Sequence, residues 1–267
     1  MKNSFTQNLL IYMLAGLCWQ VAAGAAAPAA TVAKPSVAET SGKSLPAARG
    51  IIDRYVTAVG GRAAILKRSS HHAVGTFEMV AQGLKGNLEV FAAKPNKTLT
   101  RVDVPGLGKI EQGFNGILAW SSDPAMGPMI LKDKQLRQLR DEAGFYNVLH
   151  EEKEFQKMET IEMTDFNGKP CYKLKLVRQS GEETTEYFEV SSGLLAGTTS
   201  TQQTALGSMP VTSTVSNYKT FGGILTPTRI VQKVAGMEQV MTISTIEYDK
   251  VPEGIFATPP DIQALNQ

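Results

Sequence analysis

The run CYKLKLVR, residues 171–178, sets Tyr172, Leu174 and Leu176 on one side of an extended chain and Lys173 and Lys175 on the other. Side chains of a strand alternate between faces, so this stretch reads as a strand with one apolar and one wet face. The same period of two extends outward in both directions. Upstream it marks roughly Ala73–Ala81, Gly86–Ala93, Thr98–Val104, Gly108–Asn115, Ile117–Ser121, Met129–Lys132 and Glu159–Phe166. Downstream it marks Thr184–Val190, Leu194–Thr201, Pro210–Tyr218, Ile224–Val234 and Glu238–Tyr248. Asn115-Gly116, Asn167-Gly168, Ser180-Gly181, Ser192-Gly193, Gly222-Gly223 and Ala235-Gly236 punctuate these segments with residues that suit the positive φ of tight hairpins. Connections this short make neighbouring strands antiparallel, so the expected topology is a meander of about 11–12 strands.

Two stretches keep a helical period instead. Ile51, Ile52, Tyr55, Val56 and Val59 form one apolar stripe, with Ser44 as the expected cap, Pro46 in the first turn and Gly60-Gly61 as the stop before a short helix at 62–67. From Asp133 to about Phe155, Leu136, Leu139, Ala143 and Tyr146 face one way while Lys134, Arg137, Arg140 and Asp141 face the other. A large one-sided sheet covers its apolar face by curling on itself or by borrowing helices. The expected class is α+β, mainly β: an antiparallel, curved, half-open β-barrel whose helices cover its concave face.

The first 25 residues read as a removable secretory signal, with Lys2, an apolar run from Leu9 to Leu17 and small residues from Val21 to Ala30. The run is too short to span a membrane. Lipid anchoring through Cys18 is disfavoured because Leu17 stands where a lipoprotein signal needs a small residue. Residues 26–44, rich in Ala, Pro, Ser and Thr, read as a flexible tether, and 45–267 as the folded domain. The chain is therefore expected to be exported. Once the signal is cut, Cys171 stands alone, which excludes an internal disulfide and leaves packing to stabilise the fold.

The 267 residues carry 27 Lys plus Arg against 25 Asp plus Glu, a net charge of +2 that gives no attraction for nucleic acid. No serine-hydrolase, zinc-protease, dinucleotide, CxxC or Walker signature is present. The three histidines do not form a metal set: His71 and His72 are adjacent and point to opposite faces of a strand, and His150 reads as part of a solvated helix face. Glu151-Glu152 and Glu182-Glu183 read as surface acids. No catalytic residue, metal or cofactor is therefore expected. Met79, Met126, Met129, Met158, Met163, Met209, Met237 and Met241 are adaptable side chains that suit either an irregular core or a cavity for variable acyl chains.

Several motifs together resemble the exported LolA-like outer-membrane lipoprotein-sorting proteins. They are Ala58-Val59-Gly60-Gly61 closing the first helix, the strand from His72 to Glu78, Lys94-Pro95-Asn96-Lys97, Gly113-Phe114-Asn115-Gly116 followed by Trp120, and the run from Tyr218 to Pro227. The resemblance spans about 45–256 and rests on turn glycines and strand residues. It implies a half-barrel with a helical lid over an apolar cavity and a periplasmic, non-enzymatic carrier of lipid or lipoprotein acyl chains. It also implies an arginine that holds the lid closed, for which Arg101, Arg137 and Arg140 are the candidates. The expected cavity and lid residues are Met79, Phe91, Trp120, Met129, Leu139 and Tyr146. Envelope membrane proteins are the expected partners of a monomer. The alternative is an envelope scaffold or interaction domain with a filled barrel.

Overall fold

A computed structural model describes residues 44–204, 207–234 and 236–265. The signal, Cys18 and all of the tether except Ser44 lie outside them. Helix α1 (Ala48–Ala58) and α2 (Arg62–Leu66) precede six strands: β1 (Ser70–Met79), β2 (Leu84–Ala93), β3 (Lys97–Val104), β4 (Gly108–Phe114), β5 (Ala119–Asp123) and β6 (Gly127–Leu131). Helix α3 (Asp133–Glu142) leads to seven more: β7 (Phe155–Phe166), β8 (Lys169–Arg178), β9 (Glu183–Glu189), β10 (Leu195–Thr204), β11 (Gly207–Phe221), β12 (Ile224–Val234) and β13 (Met237–Tyr248). A short helix, α4 (Pro260–Ala264), follows.

All thirteen strands join one antiparallel sheet in the order β6-β5-β4-β3-β2-β1-β13-β12-β11-β10-β9-β8-β7. The expected single meander is thus two meanders, β1–β6 and β7–β13, joined where the first strand pairs with the last. β6 and β7 are the two outer edges, and the chain crosses between them through α3. The sheet is curved and unclosed. One apolar cluster unites side chains of β3 and β8, eight positions apart, with α1. A flat sheet would separate those strands by roughly 38 Å at about 4.8 Å per strand, far more than the ~10 Å width of a helix, so the sheet wraps around α1. A bulge at Val74/Gly75 adds bend at the β1–β13 pair.

The face that holds α1 is the inner face. Ile51, Ile52, Tyr55, Val56 and Val59 are buried there against Phe77, Leu88, Val90, Leu174, Leu176, Phe188, Ile230 and Met241. On β8 the alternation holds: Leu174 and Leu176 are buried inside with Tyr172 packed beside them, while Lys173 and Lys175 pair outside with Glu162 and Glu183 at 2.8 Å each. Gly60 and Gly61 take φ of 130° and 86°, as the stop signal required. Ser44 does not cap the helix. The first turn begins at Ala48 with Ala47 as a cap that makes no side-chain bond, and the Pro46 carbonyl accepts from Thr160 Oγ1 at 2.8 Å on β7.

Not every helix covers the inner face. The turn Glu253–Phe256 and α4 pack on the opposite side, where Phe256 and Ile262 bury Phe91, Leu99 and Trp120. Cys171 is buried and free, and burial pushes its thiol up to about 11.

Candidate functional site

Residues 132–154 connect the two edge strands, β6 and β7, and pack on the inner face of the sheet. Helix α3 lays Leu139 and Ala143 on Phe114, Ala119 and Leu131, with Met129 and Leu136 packed alongside. The amphipathic pattern seen in the sequence ends at Gly144, where a Cβ would stand 2.4 Å from Asn147 Oδ1. Asn147 Nδ2 instead donates to the carbonyls of Asp141 at 2.7 Å and Glu142 at 3.1 Å, satisfying the helix end. From its far side α3 reaches across the opening: Gln138 Nε2 donates to Gln202 Oε1 on β10 at 2.9 Å. The loop beyond it is tied to the other flank, with Phe145 N–H donating to the Pro95 carbonyl and Tyr146 Oη to the Arg68 carbonyl, each at 2.9 Å.

Helix α1 is fastened at its rim by arginines. Arg49 Nη1 donates to the His150 carbonyl at 2.7 Å, while Arg54 Nη1 and Nη2 donate to the carbonyls of Val190 at 2.9 Å and Ser191 at 2.7 Å. Arg62 pairs with Glu151. The sequence candidates for a lid-holding arginine lie elsewhere. Arg101 Nε donates to Glu111 Oε1 at 2.6 Å and stacks over Phe91 on the outer face. Arg137 and Arg140 sit on α3.

Beneath α1 lies a buried polar pair that the sequence did not announce. His150, expected on a solvated face, is 1% exposed, and its Nε2 lies 2.9 Å from Glu186 Oε2. Tyr55, Phe155 and Phe188 surround the imidazole. The signal that could have found it is the parity of Glu186, two residues from Phe188 on the same face of β9. His71 and His72 do point to opposite faces: His71 is fully buried inside against Phe145 and Tyr248, and His72 stacks on Phe91 outside, 4.1 Å between centroids.

The six expected site residues divide. Met79 lies in the main inner cluster, Tyr146 packs against it, and Met129 with Leu139 forms the α3 contact on the same face. Phe91 and Trp120 belong to the opposite face under the C-terminal segment and share no wall with the other four. The methionines do not line one surface either. Met241 and Met158 join the inner cluster, Met209 and Met237 form a small separate one with Val211 and Val234, and Met126 and Met163 are exposed.

An open cleft of about 370 Å³, including solvent at its mouth, separates α3 from β8–β10. Gln138, Asp141 and Glu142 form its roof, with Arg178, Glu182, Glu183, Thr184, Ser200 and Thr201 below. Burial holds the Glu142 carboxyl well above the usual range, against a hydrogen bond from Gln138 and the nearby Arg178 charge that favour ionisation.

No family model and no curated protein sequence matches the chain. Solved structures do. A DUF1329 family protein from Desulfovibrio piger superposes with a TM-score of 0.56 at 13% identity, covering 80% of this chain and 98% of that one. A LolA superfamily protein from Nitrosomonas europaea gives 0.54 at 15%, covering 80% and 99%. The chain shares its fold with these two proteins. An outer membrane lipoprotein-sorting protein domain from Vibrio parahaemolyticus gives 0.52 at 13%, covering 78% and 95%. Among the described residues no helix is long and apolar enough to cross a membrane.

Proposed function

We propose that the chain is a periplasmic, non-enzymatic carrier or binding protein for hydrophobic ligands, with lipid or lipoprotein acyl chains taken up between the inner face of the sheet and α1. One observation carries the reading. The apolar inner face wraps a helix that is fastened at its rim mainly by guanidinium-to-carbonyl hydrogen bonds, and the sheet stays unclosed between β6 and β7.

The magnitudes permit exchange of helix for ligand. Lifting α1 re-exposes Ile51, Ile52, Tyr55, Val56 and Val59, at roughly 1.5–3 kcal/mol for each side chain or about 10 kcal/mol together. An acyl chain entering in their place returns roughly 0.8 kcal/mol for each of about 14 methylenes, or about 11 kcal/mol. Met79 and Met129 line the inner surface, while Leu139 and Tyr146 belong to the α3 segment that must shift with α1. The name of the Vibrio relative, a lipoprotein-sorting domain, supports the same role. Envelope membrane proteins would deliver and receive the ligand.

A second reading, a scaffold or interaction domain with a filled barrel, is favoured by the complete burial of Ile52, Tyr55 and Val59. Native mass spectrometry and lipid extraction of the full chain, recovered from an exporting bacterial host, separate the two. A stoichiometric amphiphile, or saturable uptake of a fluorescent fatty acid by the delipidated protein, supports the carrier. Neither, with α1 amides exchanging only at the rate of global unfolding, leaves the scaffold.

A further inference from the structure

The cleft between α3 and β8–β10 contains a carboxyl group that is satisfied only in part, by a hydrogen bond from Gln138. Glu142 is 7% exposed, lines the cleft, and its Oε1 is buried with no hydrogen-bond partner. A buried acceptor left in that state costs free energy, and native structures carry few of them without a reason. Around it stand Asp141 on α3, whose Oδ2 accepts from Ser180 Oγ, and Glu182 on the β8–β9 turn. Among the described residues none of the ion pairs involves Asp141, Glu142 or Glu182.

The nearby cations do not answer this demand. Arg178 is drawn to Glu154, 3.7 Å away, and over the Phe155 ring; the ammonium of Lys175 is taken by Glu183. Lys134 and Arg137 act on Glu182 only at longer range. The floor adds acceptors, since Thr184 and Ser200 are directly paired across β9 and β10 on the inner side, in the row that begins with Leu176. Burial, then Asp141, raises the Glu182 carboxyl as well. Two acids with raised affinity for protons beside a third acid describe a place where positive charge is missing.

From this geometry we infer that the cleft binds a primary ammonium group, with Glu142 and Asp141 above it, Glu182 beside it and the Thr184 and Ser200 hydroxyls beneath. Three N–H donors match the orphaned Oε1 and the hydroxyl floor, whereas a quaternary ammonium has no N–H to give and would want aromatic walls, which the lining lacks. A metal ion needs convergent ligands, and no such group of His, Cys, Asp and Glu occurs among the described residues. The ammonium could come from the headgroup of an amphiphile or from a free amine. The inference stands on the cleft alone and does not depend on acyl-chain uptake by the inner face.

The test is calorimetry of the full chain at low ionic strength near pH 7, titrating ethanolamine, 1,4-diaminobutane and neutral 1,2-ethanediol in phosphate and in HEPES. Saturable binding of the amines but not the diol, with release of protons from the protein, is expected. E142Q should weaken binding at least tenfold and remove most of the proton release, with an unchanged circular dichroism spectrum. E182Q, at a more exposed position, gives a second readout if E142Q does not fold. Tighter binding of lysophosphatidylethanolamine than of free ethanolamine, with lysophosphatidylglycerol inert, assigns the headgroup source; equal binding of free diamine assigns the soluble one. Absence of saturable amine binding, or binding undiminished in the folded variants, overturns the inference.

Discussion

Gly113 lies directly opposite Trp120 across β4 and β5, and a Cβ built on it would stand 2.3 Å from the indole Cζ2. The glycine is the space the ring fills. Gly113→Ala forces the indole against Phe256 and Ile262, which cap this side of the sheet. A loss of about 2–3 kcal/mol is expected, the upper range for overpacking, read as a lower denaturant midpoint at unchanged m. A red shift in tryptophan fluorescence should accompany it.

The rim arginines give a different signature. Arg54 bonds two carbonyls and lies along Gly193, where a methyl group in place of the hydrogen would stand 3.0 Å from the arginine Cγ. Arg54→Ala should cost about 1–2 kcal/mol of global stability. Amides of α1 should exchange faster by more than that global loss explains, and bound fatty acid should leave faster. If exchange in α1 rises only in step with global stability, the rim does not gate the helix.

Acid stability carries the mark of His71. Burial, helped by the neighbouring His72, lowers its pKa to about 3 from 6.5. Between those values the unfolded chain binds a proton that the folded one refuses, so stability falls as pH drops from about 6.5 towards 3. The expected loss is about 2 kcal/mol by pH 5. Asp249 adds to the same limb: burial raises its pKa, but bonds from Ser69 and Arg68 outweigh that and hold it low. Neither ring nitrogen of His71 has a partner. His71→Phe should therefore retain stability at pH 7 and flatten the curve between pH 6.5 and 4. A variant that keeps the wild-type slope would rule His71 out as its source.

The pair beneath α1 should behave as a unit. Glu186→Ala removes the carboxylate that lies 2.9 Å from His150 Nε2 and should cost about 3–5 kcal/mol, as when one half of a buried pair is deleted. The double variant His150→Leu with Glu186→Leu should recover part of that loss. Additive losses in urea melts would mean that the two side chains do not act together.

How far the sequence carried these conclusions depends on the kind of pattern involved. Strands and hairpins were legible because Asn-Gly, Ser-Gly and Gly-Gly pairs declare their turns, and because β8 has one wet face. Facing failed in β2–β5, where both sides are apolar: Leu88, Val90 and Ala92 are buried inside and Phe91 is buried outside. Alternation of apolar with apolar has no sign to read. The C-terminal cover that makes Phe91 and Trp120 buried is a distant segment, invisible to any local period. His150 was misplaced for a related reason. Its helix had already ended at Gly144, and a φ of 46° turns the residue back under α1. Nothing in the acid pair Glu182-Glu183 distinguished the acid that meets a lysine from the one that faces a cleft.

The pairing of β1 with β13 sets a timetable. Chains are made from the N-terminus, so the His71 strand must wait for Tyr248, its partner some 180 residues later, before the middle of the sheet exists. Such distant closure makes for slow folding and leaves two half-built sheets with open backbone edges in the meantime. A helper that shields those edges until the last hairpin is complete would raise the yield of native protein, whereas truncation before β13 would yield aggregates.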